Sequence, residues 1–130
     1  MKPSNLLISD QGRIVLGDYG LKRLLTPCCY SNEERVLDSL YKAPEEWKQQ
    51  PVLKSDVWSL GITLIELADG KNPYSACSYV AEMKAMPAPT LSSSKWSAAF
   101  VDFVNKCLAK DVSERWSVSE LMSVSSFTDE

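Results

Sequence analysis

The sequence predicts a mainly α domain that carries one β-hairpin. Three observations lead there. Leu6-Leu7-Ile8 and Arg13-Ile14-Val15-Leu16 are β-type runs on either side of Ser9-Asp10-Gln11-Gly12, the pattern of a hairpin around an Asp/Gly turn. Residues 57–68 are apolar on nearly every helical face, which suits the centre of a core rather than its surface. Trp96, Phe100, Phe103, Val104, Cys107 and Leu108 recur at helical spacing and mark a second long helix.

Each element has its own punctuation. Ser55 is the expected N-cap of the central helix and Gly70 its stop. Tyr79, Val80, Met83 and Met86 outline a shorter amphipathic helix, and Ser117-Val118-Ser119-Glu120 is a capping box opening a last one. Between the hairpin and the central helix, from Asp18 to about residue 53, no period is sustained, and Pro27, Pro44 and Pro51 interrupt the stretch. A segment that long without regular structure is usually functional. No repeat and no second domain are visible, and 130 residues suffice for a single core.

Composition narrows the function. A net charge of −3 argues against nucleic acid or an anionic membrane surface as the main partner. With no histidine, imidazole catalysis and His metal sites are excluded within these residues. Four cysteines without a CxxC pair make neither a zinc framework nor a disulfide scaffold, so a reducing compartment is expected. Residues 1–5 lack the apolar core of a signal peptide, and 57–68 is too short to span a bilayer and carries Glu66. The expectation is a cytoplasmic protein without membrane insertion.

Lys2-Pro3-Ser4-Asn5, Asp18-Tyr19-Gly20 and Ala43-Pro44-Glu45 are each bland alone, and their order and spacing make them informative. Asn5 and Asp18 are thirteen positions apart with a hairpin between them that returns the chain to one edge. An amide oxygen and a carboxylate there are hard donors suited to Mg²⁺ shared with phosphates, and Lys2 adds a point charge for a phosphate oxygen.

Here the sequence resembles the protein kinase family, specifically its C-terminal lobe. Met1-Lys2-Pro3-Ser4-Asn5 matches the end of the H-R-D-L-x-x-x-N catalytic loop, Asp18-Tyr19-Gly20 looks like D-F-G, and Ala43-Pro44-Glu45 looks like A-P-E. Ser55-Asp56-Val57-Trp58-Ser59-Leu60-Gly61 resembles the start of the family's central helix. Residues 111–116 resemble its closing K-D-x-x-x-R segment. The stretch from Ser55 to Pro73-Tyr74, with Phe103-Val104-Asn105-Lys106-Cys107-Leu108, is most similar to the mitogen-activated protein kinase kinase and Ste20-like group.

The resemblance implies a partial kinase domain over residues 1–127 and a tail at 128–130. Its fold would be a hairpin and long activation segment packed on a helical bundle around a buried central helix. It implies ATP and Mg²⁺ as cofactors, with Asn5 and Asp18 on the metal and Lys2 on the transferring phosphate. Gly20, Glu45, Asp56 and Arg115 would be structural: Asp56 bracing the catalytic loop, Glu45 and Arg115 forming an internal ion pair. Residues 18–45 would be the activation segment, with Thr26, Tyr30, Ser31 and Ser39 as candidate phosphorylation sites. The implied activity is phosphate transfer to Ser/Thr, or dual-specificity transfer, on a protein substrate in a mitogen-activated cascade, under an upstream kinase or scaffold.

Two departures matter. The general-base Asp of the family's loop falls before Met1, as do the Gly-rich loop and strand Lys, so these residues alone are expected to be inactive. Asp38 stands where the family usually has Thr. The alternative is therefore a pseudokinase or truncated binding module that docks partners without phosphotransfer. The family's covering helix also precedes Met1, so the central helix is expected to be partly bare and the isolated chain marginal and sticky.

Overall fold

Strand-forming residues flanking a glycine turn build the first element. The computed structural model describes residues 1–17, 37–48 and 50–124. In it β1 (Leu6–Ile8) and β2 (Ile14–Leu16) pair antiparallel, with Leu6 opposite Leu16, Leu7 opposite Val15 and Ile8 opposite Ile14. Gly12 takes the left-handed conformation at φ 75°, where a side chain would be strained. The turn closes through Ser9, whose carbonyl accepts from the Gly12 N–H and whose N–H donates to the Arg13 carbonyl, each at 2.9 Å.

From residue 50 onward four α-helices follow among the described residues: α1 (Leu53–Asp69), α2 (Val80–Ala85), α3 (Ala98–Cys107) and α4 (Val118–Met122). A 3-10 turn at Pro3–Asn5 precedes the hairpin and another at Pro44–Trp47 precedes α1. Most of the activation segment expected at 18–45 lies outside the described residues. Its described part, 37–45, turns tightly, and Ala43 is fully buried.

The start of α1 corrects the sequence reading. Ser55 is not the N-cap; that position falls three residues earlier, at Val52. Ser55 acts from inside the first turn, accepting the Val52 N–H on its hydroxyl at 3.0 Å, so the orphan donor at the helix start is satisfied all the same. Gly70 ends α1 in the left-handed conformation, φ 71°. Ser117 and Glu120 form a capping box at α4: the Ser117 N–H donates to the Glu120 carboxylate at 2.7 Å and the Glu120 N–H to the Ser117 hydroxyl at 3.3 Å.

The core lies where α1 meets α3. Val57, Trp58, Ile62 and Ile65 of α1 are buried against Val104, Cys107 and Leu108, with Tyr74, Leu91 and Met83 closing the sides. Gly61 allows the crossing: a Cβ there would lie 2.6 Å from Leu108 Cγ and 2.9 Å from Cys107 Cβ. Val57, Trp58, Ile62 and Ile65 of α1 are at most 3% exposed, but the helix is bare in part, with Leu53 and Leu67 92% and 58% exposed. Exposed apolar surface gathers on the hairpin as well, where Leu7, Ile8, Ile14 and Val15 are all more than half exposed. A two-stranded ribbon has no layer of its own to bury such residues. Among the described residues no helix is long and apolar enough to cross a membrane.

Candidate functional site

The hairpin register brings the two ends of the proposed edge together. Pro3 starts the first 3-10 turn, where its missing N–H costs nothing, and the Asn5 N–H closes that turn on the Lys2 carbonyl at 3.0 Å. Beyond the last strand pair the Gly17 N–H donates to the Asn5 carbonyl at 2.7 Å. Asp18 follows Gly17 by one peptide bond and lies outside the described residues, as do Gly20, Thr26, Tyr30 and Ser31. Asn5 itself is half-buried. No group of three or more Cys, Asp or Glu side chains among the described residues could hold a metal ion.

Lys2 reaches across to the other strand of chain at this edge. Its ammonium donates to Asp38 Oδ1 at 3.0 Å, with the two side chains 33% and 16% exposed. The carboxylate at position 38 thus takes the lysine read from sequence as a phosphate contact. Ser39, beside it, is half-buried, and its carbonyl accepts the Lys42 N–H at 3.2 Å.

The segment carrying Asp38 is anchored from below by a network that composition and spacing did not reveal. Tyr41 donates its hydroxyl to Glu66 Oε2 at 2.6 Å, and Asn72 Nδ2 donates to the same oxygen at 2.8 Å. Ser59 donates to the Tyr41 carbonyl at 2.8 Å. Burial, and then the Glu66 carboxylate, push the Tyr41 phenol well above its ordinary range, so it remains a donor. The sequence signal was Glu66 itself, the one charged residue of the stretch 57–68.

Arg115 ties three stretches of chain together. Its Nη1 and Nη2 donate to the two oxygens of Glu45 at 2.7 and 2.9 Å, its Nη1 also to the Lys54 carbonyl at 2.9 Å, and its Nε to the Ala109 carbonyl at 2.9 Å. The guanidinium stacks 5.2 Å from the Trp58 ring centroid. Ser55 adds a hydrogen bond to Glu45 Oε1 at 2.8 Å. Burial alone would raise the Glu45 pKa, but the bonds from Arg115, its own backbone and Ser55 outweigh it and hold the carboxyl below the usual range. Asp111 shapes the loop leading to Arg115, accepting the Ser113 N–H and hydroxyl on Oδ1 at 2.8 and 2.7 Å.

Asp56 sits apart from these groups. It is exposed in the first turn of α1, where its charge faces the positive end of the helix dipole. No hydrogen bond joins it to residues 1–5 among the described residues, although α1 does pack against the 3-10 turn at Pro3–Asn5.

Comparison with known proteins bears on this arrangement as a whole. The chain is 40% identical over 130 residues to serine/threonine-protein kinase pakH of Dictyostelium discoideum, covering 94% of this chain and 25% of that protein. It is 38% identical over 119 residues to serine/threonine-protein kinase ppk11 of Schizosaccharomyces pombe, covering 88% and 38%. It is 33% identical over 143 residues to mitogen-activated protein kinase kinase 1 of Arabidopsis thaliana, covering 94% and 38%. The chain therefore spans well under half the length of these relatives. With the description "Protein kinase domain" matching residues 1–127 as well, the chain belongs to the protein kinase family.

Proposed function

We propose that this chain supplies the C-terminal lobe of an ATP- and Mg²⁺-dependent Ser/Thr protein kinase, with dual-specificity transfer as the alternative acceptor range. The supporting observation is the hairpin register. The 2.7 Å bond from the Gly17 N–H to the Asn5 carbonyl holds Asn5 against the residue that precedes Asp18 in the chain. An amide oxygen and a carboxylate are the hard oxygen donors that Mg²⁺ takes while leaving positions for phosphate and water. Asn5 and Asp18 would hold the ion, which when bound offsets charge on the phosphates. Lys2 would offset phosphate charge from the protein side, in exchange with Asp38.

The remaining residues hold that edge in place. Glu45 and Arg115 fix the 43–48 segment on α1, and Tyr41 with Glu66 fixes the turn that carries Asp38 and would face the protein substrate. The base that accepts the substrate hydroxyl proton would be the Asp of the family's H-R-D motif. In the parent kinase, phosphorylation of Thr26, Tyr30, Ser31 or Ser39 by an upstream kinase would order the segment. The setting is a cytoplasmic mitogen-activated cascade.

A chimera tests this reading. Residues 1–130 replace the matching segment of ppk11, and transfer of the ATP γ-phosphate to a generic protein substrate is measured with and without Mg²⁺. Mg²⁺-dependent transfer is expected, lowered at least about a hundredfold by Asn5→Ala or Asp18→Ala. A chimera that melts cooperatively and transfers nothing would overturn the reading and leave a docking module without catalysis.

A further inference from the structure

A pocket of about 290 Å³ lies away from the Asn5 edge, between the second 3-10 turn, α1 and α2. Its floor is apolar and rigid: Trp58, Tyr74 and Met83 line it and are 1%, 2% and 7% exposed. Pro44 and Trp47 form a wall.

The rest of the lining is basic. Lys42 and Lys84 hold their ammonium groups 5.2 and 5.6 Å from the centroid of the Trp47 ring, so two cations flank one indole. Lys110 is held at the rim by the carbonyls of Lys84, at 3.2 Å, and Met86. Lys48 is exposed beside them. No carboxylate lines the pocket, and none of the four lysines is paired with an acid among the described residues. In a chain of net charge −3, four uncompensated cations around an apolar well form a local field opposite in sign to the whole.

We propose that this pocket docks an acidic peptide segment of a partner protein through one large apolar side chain. The volume is at the small end of ligand pockets, enough for a single aromatic or aliphatic side chain and too small for a whole peptide. The chain bearing that side chain would therefore run over the lysine ring, where flanking Asp and Glu meet the ammonium groups. Single-stranded nucleic acid fits less well, because the Trp58 and Tyr74 rings are buried and offer no open stacking face. An apolar anchor inside a charged rim is the arrangement in which the anchor supplies affinity and the charges supply selectivity and on-rate. The docking does not depend on phosphotransfer and would persist in a chain that transfers no phosphate.

The test titrates the 130-residue chain with the peptide Asp-Glu-Phe-Glu-Asp by calorimetry, beside Asp-Glu-Ala-Glu-Asp and Lys-Arg-Phe-Arg-Lys. Saturable binding of the first is expected, with at least about tenfold weaker binding of the other two. The double variant Lys48→Glu/Lys84→Glu should lose at least about tenfold in affinity while keeping the parent's circular dichroism and Tm, since both side chains are exposed. Three results would overturn the proposal: no saturable binding, equal binding of the Phe and Ala peptides, or an unchanged affinity in the double variant.

Discussion

Arg115 and Glu45, 70 residues apart in the chain, meet through two parallel hydrogen bonds of 2.7 and 2.9 Å, the arginine side chain fully buried and that of the glutamate 11% exposed. Such a pair is costly to assemble, because both charges leave water, and costlier to break, because one is then stranded. Arg115→Ala is expected to destabilise the fold by about 3–5 kcal/mol, and Glu45→Ala similarly, with the double variant losing much less than the sum. Urea unfolding of all three variants checks this. Additive losses would mean that the two side chains act independently.

The same pair sets an acid limit. The Glu45 pKa is held below the ordinary 4.5, so the unfolded chain binds the proton more readily than the folded one. The stability this contributes is present in full above the ordinary value and drains away as pH falls through the lowered one. Asp111 and Glu120, held low by hydrogen bonds from Ser113 and Ser117, act in the same direction. Tm measured downwards from neutral pH should hold steady and then fall on the acid side of about 4.5, and Glu45→Gln should flatten part of that limb. An identical acid limb in Glu45→Gln would remove Glu45 from the account.

Gly61 of α1 packs against the C-terminal end of α3, at Cys107 and Leu108. A methyl group there would sit 2.6 and 2.7 Å from Leu108 Cγ and Cδ2, inside any real contact distance. In an open helix Gly→Ala would stabilise, because alanine is the better helix former. Here overpacking should win, and Gly61→Ala is expected to cost about 1–3 kcal/mol. Gly61→Ala combined with Leu108→Ala should recover part of its own cost, which urea unfolding of the double variant can read. A stabilising Gly61→Ala would show that Leu108 yields freely.

What could be read from the sequence follows the range of the interactions. The hairpin and the approach of Asn5 to residue 17 were legible because strand alternation and a four-residue turn are local and fix the register by themselves. The first turn of α1 was misread because a serine inside that turn satisfies the same backbone donor as a serine at its cap, and because Leu53, 92% exposed, adds nothing to the apolar period. The pairing of Arg115 with Glu45 carries no local signal across 70 residues and came only through the family resemblance. Lys2 with Asp38 and the lysine ring at 42, 48, 84 and 110 were invisible, since their partners come from separate stretches and nothing in periodicity joins them.

Asp38 restrains Lys2. The pair is partly exposed, so its effect on stability should be small, within about 1 kcal/mol. The consequence lies in the lysine's freedom: Asp38→Asn removes the charge that fixes the ammonium. Reductive methylation followed by mass spectrometry should modify Lys2 faster in Asp38→Asn than in the parent, while Lys71, exposed and distant in the chain, reacts equally in both. Equal Lys2 rates would mean that the 3.0 Å contact does not hold the side chain in solution.

Cys107 and Cys77 separate cleanly as thiols. Cys107 is fully buried on α3 beneath Gly61, and burial pushes its thiol up to about 12, with Arg115 opposing only in part. Because the thiolate is the reactive form, a thiol so placed should be inert in the folded chain. Cys77 is partly exposed, its sulfur 3.4 Å from that of Met86. Iodoacetamide at pH 8 with peptide mass mapping should label Cys77 quickly and Cys107 only as fast as the chain unfolds. Adding sub-denaturing urea should then accelerate Cys107 selectively. If both cysteines label at one rate without denaturant, the α1–α3 contact opens far more readily than its packing implies.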